Sequence, residues 1–370
     1  MIVVLDFGSQ YNQNIARRIR EQNVYSEILP SHADMERLRN MDNLEGIILS
    51  GGPNSVYEEG APQLRREILH LDVPVLGICY GMQAMAHTLD GVVEHEGKRE
   101  YGKTNIGTLK SSELFKGIDK QRINVWMSHG DVVRKLPAGF ETIARTENGH
   151  VAAVMNRFAG WYGVQFHPEV DNTEHGREIL SNFVDICKCK RNWTMKNYID
   201  ERMEEAKIIV GDKPIVCGVS GGVDSTVTAV MLHRIFGEQL TCITVDNGVL
   251  RKNEIEYVKG VFEKLGIEMH VAHAAFRFLD KLEGITGPEE KRKIIGNEFI
   301  YVFADKARGL GLDLKSTFLG QGTLYTDRIE SGPTFGGTTA TIKSHHNVGG
   351  LPDMIEFTGI YEPLRFVFKD

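Results

Sequence analysis

A cysteine stands between two glycines in Gly77-Ile78-Cys79-Tyr80-Gly81, after the apolar pair Val75-Leu76 and before a helix-like stretch, Met82–Leu89. A turn from buried strand to helix is too tight for side chains at the flanking positions, so glycines there aim the central side chain out of the sheet edge. The sulfur also sits where the positive end of a helix dipole favours a thiolate. Such a nucleophile needs a base that a third group holds in place. Gln165-Phe166-His167-Pro168-Glu169 supplies both, because residues two apart in extended backbone point the same way. The rival histidine lies in Met127-Ser128-His129-Gly130-Asp131. His167 is preferred for its acid partner, and His129 with Asp131 is expected at the substrate edge. Ser50-Gly51-Gly52-Pro53 follows another apolar run. Its two glycines can expose backbone N–H groups, which with the Tyr80 amide would form an oxyanion hole.

A second chemical motif is Val219-Ser220-Gly221-Gly222-Val223-Asp224-Ser225-Thr226, between a buried strand and an apolar helix. Strand, glycine-rich turn and helix N-terminus together cradle phosphate oxygens with backbone amides. The lysine of a G-K-[ST] loop is missing, which disfavours transfer of a γ-phosphate. Asp224 could serve as N-cap of the following helix.

The elements that must position these residues alternate between short apolar strands and helices. Ile2–Leu5, Gly46–Leu49 and Val73–Ile78 read as strands buried on both faces, with a helix over 13–22, so the first half predicts a parallel sheet. From about 92 to 166 the pattern changes to short strands (92–93, 105–109, 125–127, 151–155, 161–166), which predicts an antiparallel or mixed finish. A helix over 174–188 closes the unit. The polar run Lys188-Cys189-Lys190-Arg191-Asn192 marks the boundary, giving domains 1–190 and 191–370. Beyond it lie a helix over 195–209, a strand at 214–219 and a helix at 226–236. They are followed by a strand at 240–245, a helix at 254–265, a strand at 269–271, a helix at 289–308 and a strand at 316–319. Residues 320–350 are rich in Gly, Thr and Ser, as a functional loop would be.

Ser-Gly-Gly-Pro, Gly-Ile-Cys-Tyr-Gly-Met-Gln and Gln-Phe-His-Pro-Glu, in this order, resemble the class I glutamine amidotransferases over residues 1–190. The resemblance implies a flavodoxin-like mixed α/β sheet. It implies that Cys79 attacks the side-chain amide of glutamine, that His167 protonates the leaving ammonia and that Glu169 holds His167. Gly51, Gly52, Tyr80, Gln83, Ser128, His129 and Asp131 would form the oxyanion and glutamine site. The run Ser220 to Thr226 resembles the pyrophosphate loop of N-type ATP pyrophosphatases, whose domains are parallel-sheet folds of the adenine-nucleotide alpha-hydrolase type. There Ser220, Gly221, Gly222, Val223, Asp224, Ser225 and Thr226 would hold ATP, with Val245 bordering the adenosine. Asp224 would be a magnesium ligand, and Lys343 would supply the missing positive charge.

The pairing, together with Asp6-Phe7-Gly8-Ser9-Gln10-Tyr11 and Lys343-Ser344-His345-His346-Asn347-Val348-Gly349-Gly350, is similar to the glutamine-hydrolysing GMP synthases. That implies L-glutamine, XMP and ATP with Mg2+ as substrates: adenylation of the XMP 2-oxygen, then displacement of AMP by ammonia. Ammonia in neutral water is mostly protonated, so delivery from a sealed neighbouring site would preserve its reactivity. Members of that family continue past the equivalent of Phe368-Lys369-Asp370 with a domain that dimerises and completes the XMP pocket. A chain ending here is expected to keep glutamine hydrolysis and ATP binding and to make little GMP. The alternatives are another glutamine-dependent adenylating ligase and a truncated chain with only glutaminase and ATP-binding capacity.

Composition is that of an ordinary soluble globular chain. Lys and Arg number 43 against 50 Asp and Glu, a net charge of −7, so no overall positive field attracts nucleic acid. No apolar run approaches the roughly 20 residues that span a membrane. Five cysteines, several in apolar runs, argue for a reducing cytoplasm rather than a disulfide framework.

Overall fold

The computed structural model describes residues 1–108, 111–118, 121–326 and 357–369. The chain divides into two compact units, one ending at Thr194 and the other beginning at Met195.

In the first unit the apolar runs form β1 (Ile2–Asp6), β3 (Gly46–Leu49) and β4 (Val75–Ile78), buried throughout except at Asp6. Between β1 and β3 lie α1 (Asn12–Arg20), β2 (Ser26–Pro30) and α2 (Met35–Arg39). The amphipathic helix α1 buries Ile15, Ala16 and Ile19. The short α2 is capped by the Asp34 carboxylate, which accepts from the Glu36 amide. Helix α3 (Tyr80–Thr88) follows β4 directly. The remaining strands are β5 (Val92–Thr108), β6 (Arg122–Lys135), β7 (Glu141–Thr146), β8 (Val151–Asn156) and β9 (Trp161–Val164), before α4 (Gly176–Ile186). The nine strands run in the order β2-β1-β3-β4-β9-β8-β7-β5-β6. Pairing is parallel as far as β9 and antiparallel beyond it, the expected mixed sheet.

The strand expected at 92–93 is the start of a 17-residue strand. Its polar residues mask it in the sequence, because an antiparallel pair can wet one face. Strand β6 shows the same alternation, burying Ile123, Val125 and Met127 in turn. The helix expected from Met82 begins two residues earlier, directly after Cys79.

The second unit is a five-stranded sheet of order β12-β11-β10-β13-β14, every pair parallel. Its elements are α5 (Met195–Val210), β10 (Ile215–Gly218), α6 (Val223–Phe236), β11 (Leu240–Asp246), α7 (Glu254–Lys264) and β12 (Met269–His273). They continue with α8 (Ala275–Leu282), α9 (Pro288–Gly309), β13 (Phe318–Gly320) and β14 (Gly359–Tyr361). Strand alternation feeds two cores. Ile215, Cys217 and Cys242 pack into one, and Val216, Ile243 and Val245 into the other. Cys217 and Cys242 are thus core residues, and burial pushes the Cys242 thiol up to about 12. All five cysteines are free. Neither α8 nor β14 was anticipated: α8 buries only Phe278, and β14 is three residues long. Among the described residues no helix is long and apolar enough to cross a membrane.

Candidate active sites

Cys79 ends the β4–α3 turn with φ 52° and ψ −109°, a conformation L-residues rarely adopt. Its glycine neighbours are sterically required. A Cβ at Gly77 would lie 2.6 Å from the Met82 nitrogen, and one at Gly81 only 2.3 Å from the Leu49 carbonyl oxygen. The Cys79 amide donates to the Val164 carbonyl at 2.8 Å, which pins the turn to β9.

Three residues beyond that carbonyl, the chain delivers His167. Its amide donates to the Trp126 carbonyl at 3.0 Å, and Thr173 Oγ1 donates to its carbonyl at 2.6 Å. The backbone is therefore held on both sides. His167 Nδ1 lies 2.7 Å from Glu169 Oε1, both side chains being buried. The Cys79 side chain also acts on the imidazole. Burial alone would lower its pKa, but the Glu169 charge and the sulfur outweigh that and hold it well above the ordinary value of 6.5. The edge of Tyr11 packs on the ring, with centroids 5.3 Å apart.

A group whose folded pKa is raised contributes stability that is complete below its unfolded pKa and is lost as pH rises through the folded value. His167 should therefore make the first unit less stable as pH climbs above about 6.5. Glu169→Gln removes the largest raising cause and leaves burial and the sulfur, which shrinks the shift. The stability gap between wild type and variant is expected to be largest below about pH 6.5 and to narrow as the pH rises through the folded value. Thermal unfolding of both proteins across that range checks it, and a constant gap would contradict it.

The glycine turn after β3 completes the first site. A Cβ on Gly51 would stand 3.1 Å from His167 Cε1 and 3.8 Å from Cys79 Cβ, so this backbone borders both reactive groups. At Gly52 a Cβ would meet the Phe7 carbonyl oxygen at 2.6 Å. Ser50 Oγ accepts from the Phe7 amide at 3.0 Å and so fixes the turn. The Tyr80 amide, first in α3, has no carbonyl within its own helix to bond.

On the other side, Cys79 Sγ lies 3.7 Å from the Ser128 carbonyl oxygen. Gln83 Nε2 donates to the Asp131 carbonyl at 2.9 Å and to Gln165 Oε1 at 3.2 Å. The structure thus gathers Gly51, Cys79, Gln83, Ser128, Asp131, His167 and Glu169 around one point. The His129 ring is buried and turned away from this point, with Nε2 toward Glu100 and Nδ1 on the Asp131 carbonyl. The Asp131 carboxylate bonds Tyr57 and His95. Sequence reasoning did not assign Gln165, whose Nε2 reaches Cys79 Sγ at 3.7 Å. Its only signal was its place at the head of the His167 motif.

In the second unit the glycine-rich turn between β10 and α6 is exposed from Ser220 to Val223. Gly221 has φ +77°, and a Cβ there would lie 2.5 Å from Val258 Cγ2. The Ser220 amide donates to Ser225 Oγ at 3.2 Å, and the Thr226 hydroxyl donates to the Gly222 carbonyl at 2.9 Å. Gly222 is the N-cap, so α6 starts at Val223 and Asp224 lies in its first turn rather than at the cap. The Val245 side chain is buried in the core, so only its backbone borders the strand end. Lys343 lies outside the described residues, as do His345 and His346. Among the described residues, Lys369 reaches the loop, its Nζ 2.8 Å from Asp224 Oδ2. No spacing rule links positions 145 residues apart, so no local pattern announces this pair.

Comparison with known proteins finds two families along the chain, one in each half. The family described as glutamine amidotransferase class-I matches residues 3–187, and that described as NAD synthase matches residues 194–282. Three proteins named GMP synthase [glutamine-hydrolyzing] align over the whole chain and over 71% of their own length. They come from Staphylococcus carnosus (54% identical), Bacillus licheniformis (53%) and Bacillus subtilis (52%). With a glutamine amidotransferase unit, a pyrophosphatase-type unit and this identity over its full length, the chain belongs to the family of glutamine-hydrolysing GMP synthases.

Proposed function

We propose that the chain hydrolyses glutamine to glutamate and ammonia at Cys79 and uses ATP at the Ser220–Thr226 loop to activate XMP, which ammonia converts to GMP, slowly wherever the domain that completes the XMP pocket in that family is missing. The observation that carries the first half is the Cys79–His167–Glu169 line, with a glycine turn facing it. In this reading the Cys79 thiolate attacks the amide carbon of glutamine. The oxyanion is held by backbone N–H groups at Gly51, Gly52 and Tyr80, and His167 gives the leaving nitrogen its proton. Water then cleaves the thioester, with His167 as base, and glutamate leaves. Glu169 keeps the imidazole oriented and balances its charge throughout.

In the second half, the exposed turn from Ser220 to Val223 and the start of α6 receive the ATP phosphates. Lys369 supplies the positive charge that the loop itself lacks. Asp224 suits magnesium, a hard cation that binds through one or two carboxylates plus substrate phosphates. Its carboxylate is part-exposed at the loop, where a single protein oxygen and phosphate oxygens can share the ion. Bound there, magnesium would neutralise phosphate charge. The pyrophosphate leaves as AMP is transferred to the XMP 2-oxygen, and ammonia displaces AMP. Five free cysteines fit a reducing cytoplasm as the setting.

The test is acceptor choice. With ATP and magnesium, the protein should release pyrophosphate in the presence of XMP and not with carboxylate acceptors; the opposite pattern would replace XMP as substrate. Lys369→Ala should weaken this XMP-dependent release roughly tenfold or more, since it removes a charge-assisted contact to phosphate. An unchanged rate would remove Lys369 from the site.

A further inference from the structure

Strand β6 carries a buried ion pair to which the chemistry above gives no task. His129 Nε2 lies 3.2 Å from Glu100 Oε2, the side chains being 3% and 6% exposed. Glu100 Oε1 accepts from Asn148 Nδ2 at 2.7 Å and lies 3.5 Å from His150 Nδ1. Burial would raise the Glu100 carboxyl, but His129 and Asn148 outweigh it and hold it below the ordinary carboxylate range. A buried carboxylate is costly unless paired in this way.

The pair exists because the β5–β6 ladder is irregular. His95 stands opposite Asp131 and Glu100 opposite His129, so residues 96–99 all face the single residue Gly130. This insertion sets Glu100 against His129 beside the segment that meets the nucleophile.

The other edge of the imidazole reaches that segment. His129 Nδ1 donates to the Asp131 carbonyl at 3.0 Å, the same oxygen that receives Gln83 Nε2. Gln83 touches Gln165, which touches Cys79 Sγ, and the Ser128 carbonyl lies against the same sulfur. One ring therefore links Glu100 to the Asp131 carbonyl, and Ser128, whose carbonyl meets the sulfur, is the residue next to that ring in the chain.

We propose that Glu100 is a positioning residue for glutamine, which through His129 fixes the Ser128–Asp131 rim against which the substrate must lie. It touches no reacting atom. The inference rests on the glutaminase reading above. Without Glu100 the ring loses its anchor and the rim can shift, which weakens substrate binding while the Cys79–His167–Glu169 line stays intact. Glu100→Gln keeps the shape and the oxygen facing Asn148. Its amide can donate to a neutral His129 Nε2 while Nδ1–H remains on the Asp131 carbonyl.

The test is steady-state glutamine hydrolysis with two labels for Cys79: iodoacetamide, and a chloroketone analogue of glutamine. Glu100→Ala should raise KM about tenfold and leave kcat within roughly threefold, the pattern for lost binding common to ground and transition states. Labelling by the chloroketone should slow in proportion, while labelling by iodoacetamide stays within about twofold of wild type. Glu100→Gln should restore most of the affinity. Should the alanine variant not fold, Asn148→Ala, in an exposed turn, should raise KM about threefold by loosening the carboxylate. Unchanged KM in these variants, or equal loss with both labels, overturns the proposal. If wild type neither hydrolyses glutamine nor takes the chloroketone, the glutaminase reading fails instead.

Discussion

Replacing Cys79 with alanine is expected to lower glutamine hydrolysis by at least about 10⁴-fold, because no other group can form the thioester. Alanine keeps the Cβ and with it the strained backbone at φ 52°, so the change removes the sulfur and little else. Pyrophosphate release driven by XMP, and any synthesis fed by added ammonium, should persist, since the residues of the ATP loop belong to another compact unit. His167→Asn should cost a similar factor, and the double variant little more, because nucleophile and base act as one device. Glutamate release measured alongside pyrophosphate release checks this. Glutamine turnover within tenfold of wild type in Cys79→Ala would remove Cys79 as the nucleophile.

The second large effect is on folding. Gly81→Ala places a methyl 2.3 Å from the Leu49 carbonyl oxygen and 2.7 Å from its carbonyl carbon and Cβ. The obstructing atoms belong mainly to the backbone of a buried strand, so no rotamer change relieves them. Overpacking of this kind costs about 3 kcal/mol or more. For a unit of this size that corresponds to a fall of roughly 6–12 °C in the midpoint of its unfolding transition. Gly97→Ala is the control: its site is exposed, with nothing within 4 Å of the new Cβ, and its stability should hold or rise slightly. A melting curve for Gly81→Ala that overlays wild type would show that the elbow can widen, and would undo the steric account of the glycines.

Both expectations concern residues that were legible before any coordinates. Gly77 and Gly81 announce an elbow because a tight strand-to-helix turn excludes side chains, and the structure puts backbone where those side chains would be. His167 and Glu169 are two apart, so local geometry alone could pair them. Phosphate loops are similarly local, which is why the Ser220–Thr226 turn was placed directly. The long strands β5 and β6 were less legible. Their polar residues face solvent or each other, and only pairing across the sheet makes such a sequence a strand. Residues 96–99 show the limit most clearly, for an insertion opposite one residue of the partner leaves no periodic trace.

Taken alone, then, the amino-acid sequence determined the two chemistries, the alternating α/β architecture and the residues of each motif, because these depend on neighbours within a few positions. Tertiary structure decided which distant groups share a site. Lys369 joins Asp224, Gln165 and Ser128 border the Cys79 sulfur, and His129 turns from the nucleophile toward Glu100. The reason is physical. A buried ring or charge takes whatever partner the packed sheet brings within about 3 Å, and sheet order and register follow from the burial of whole faces, not from local spacing.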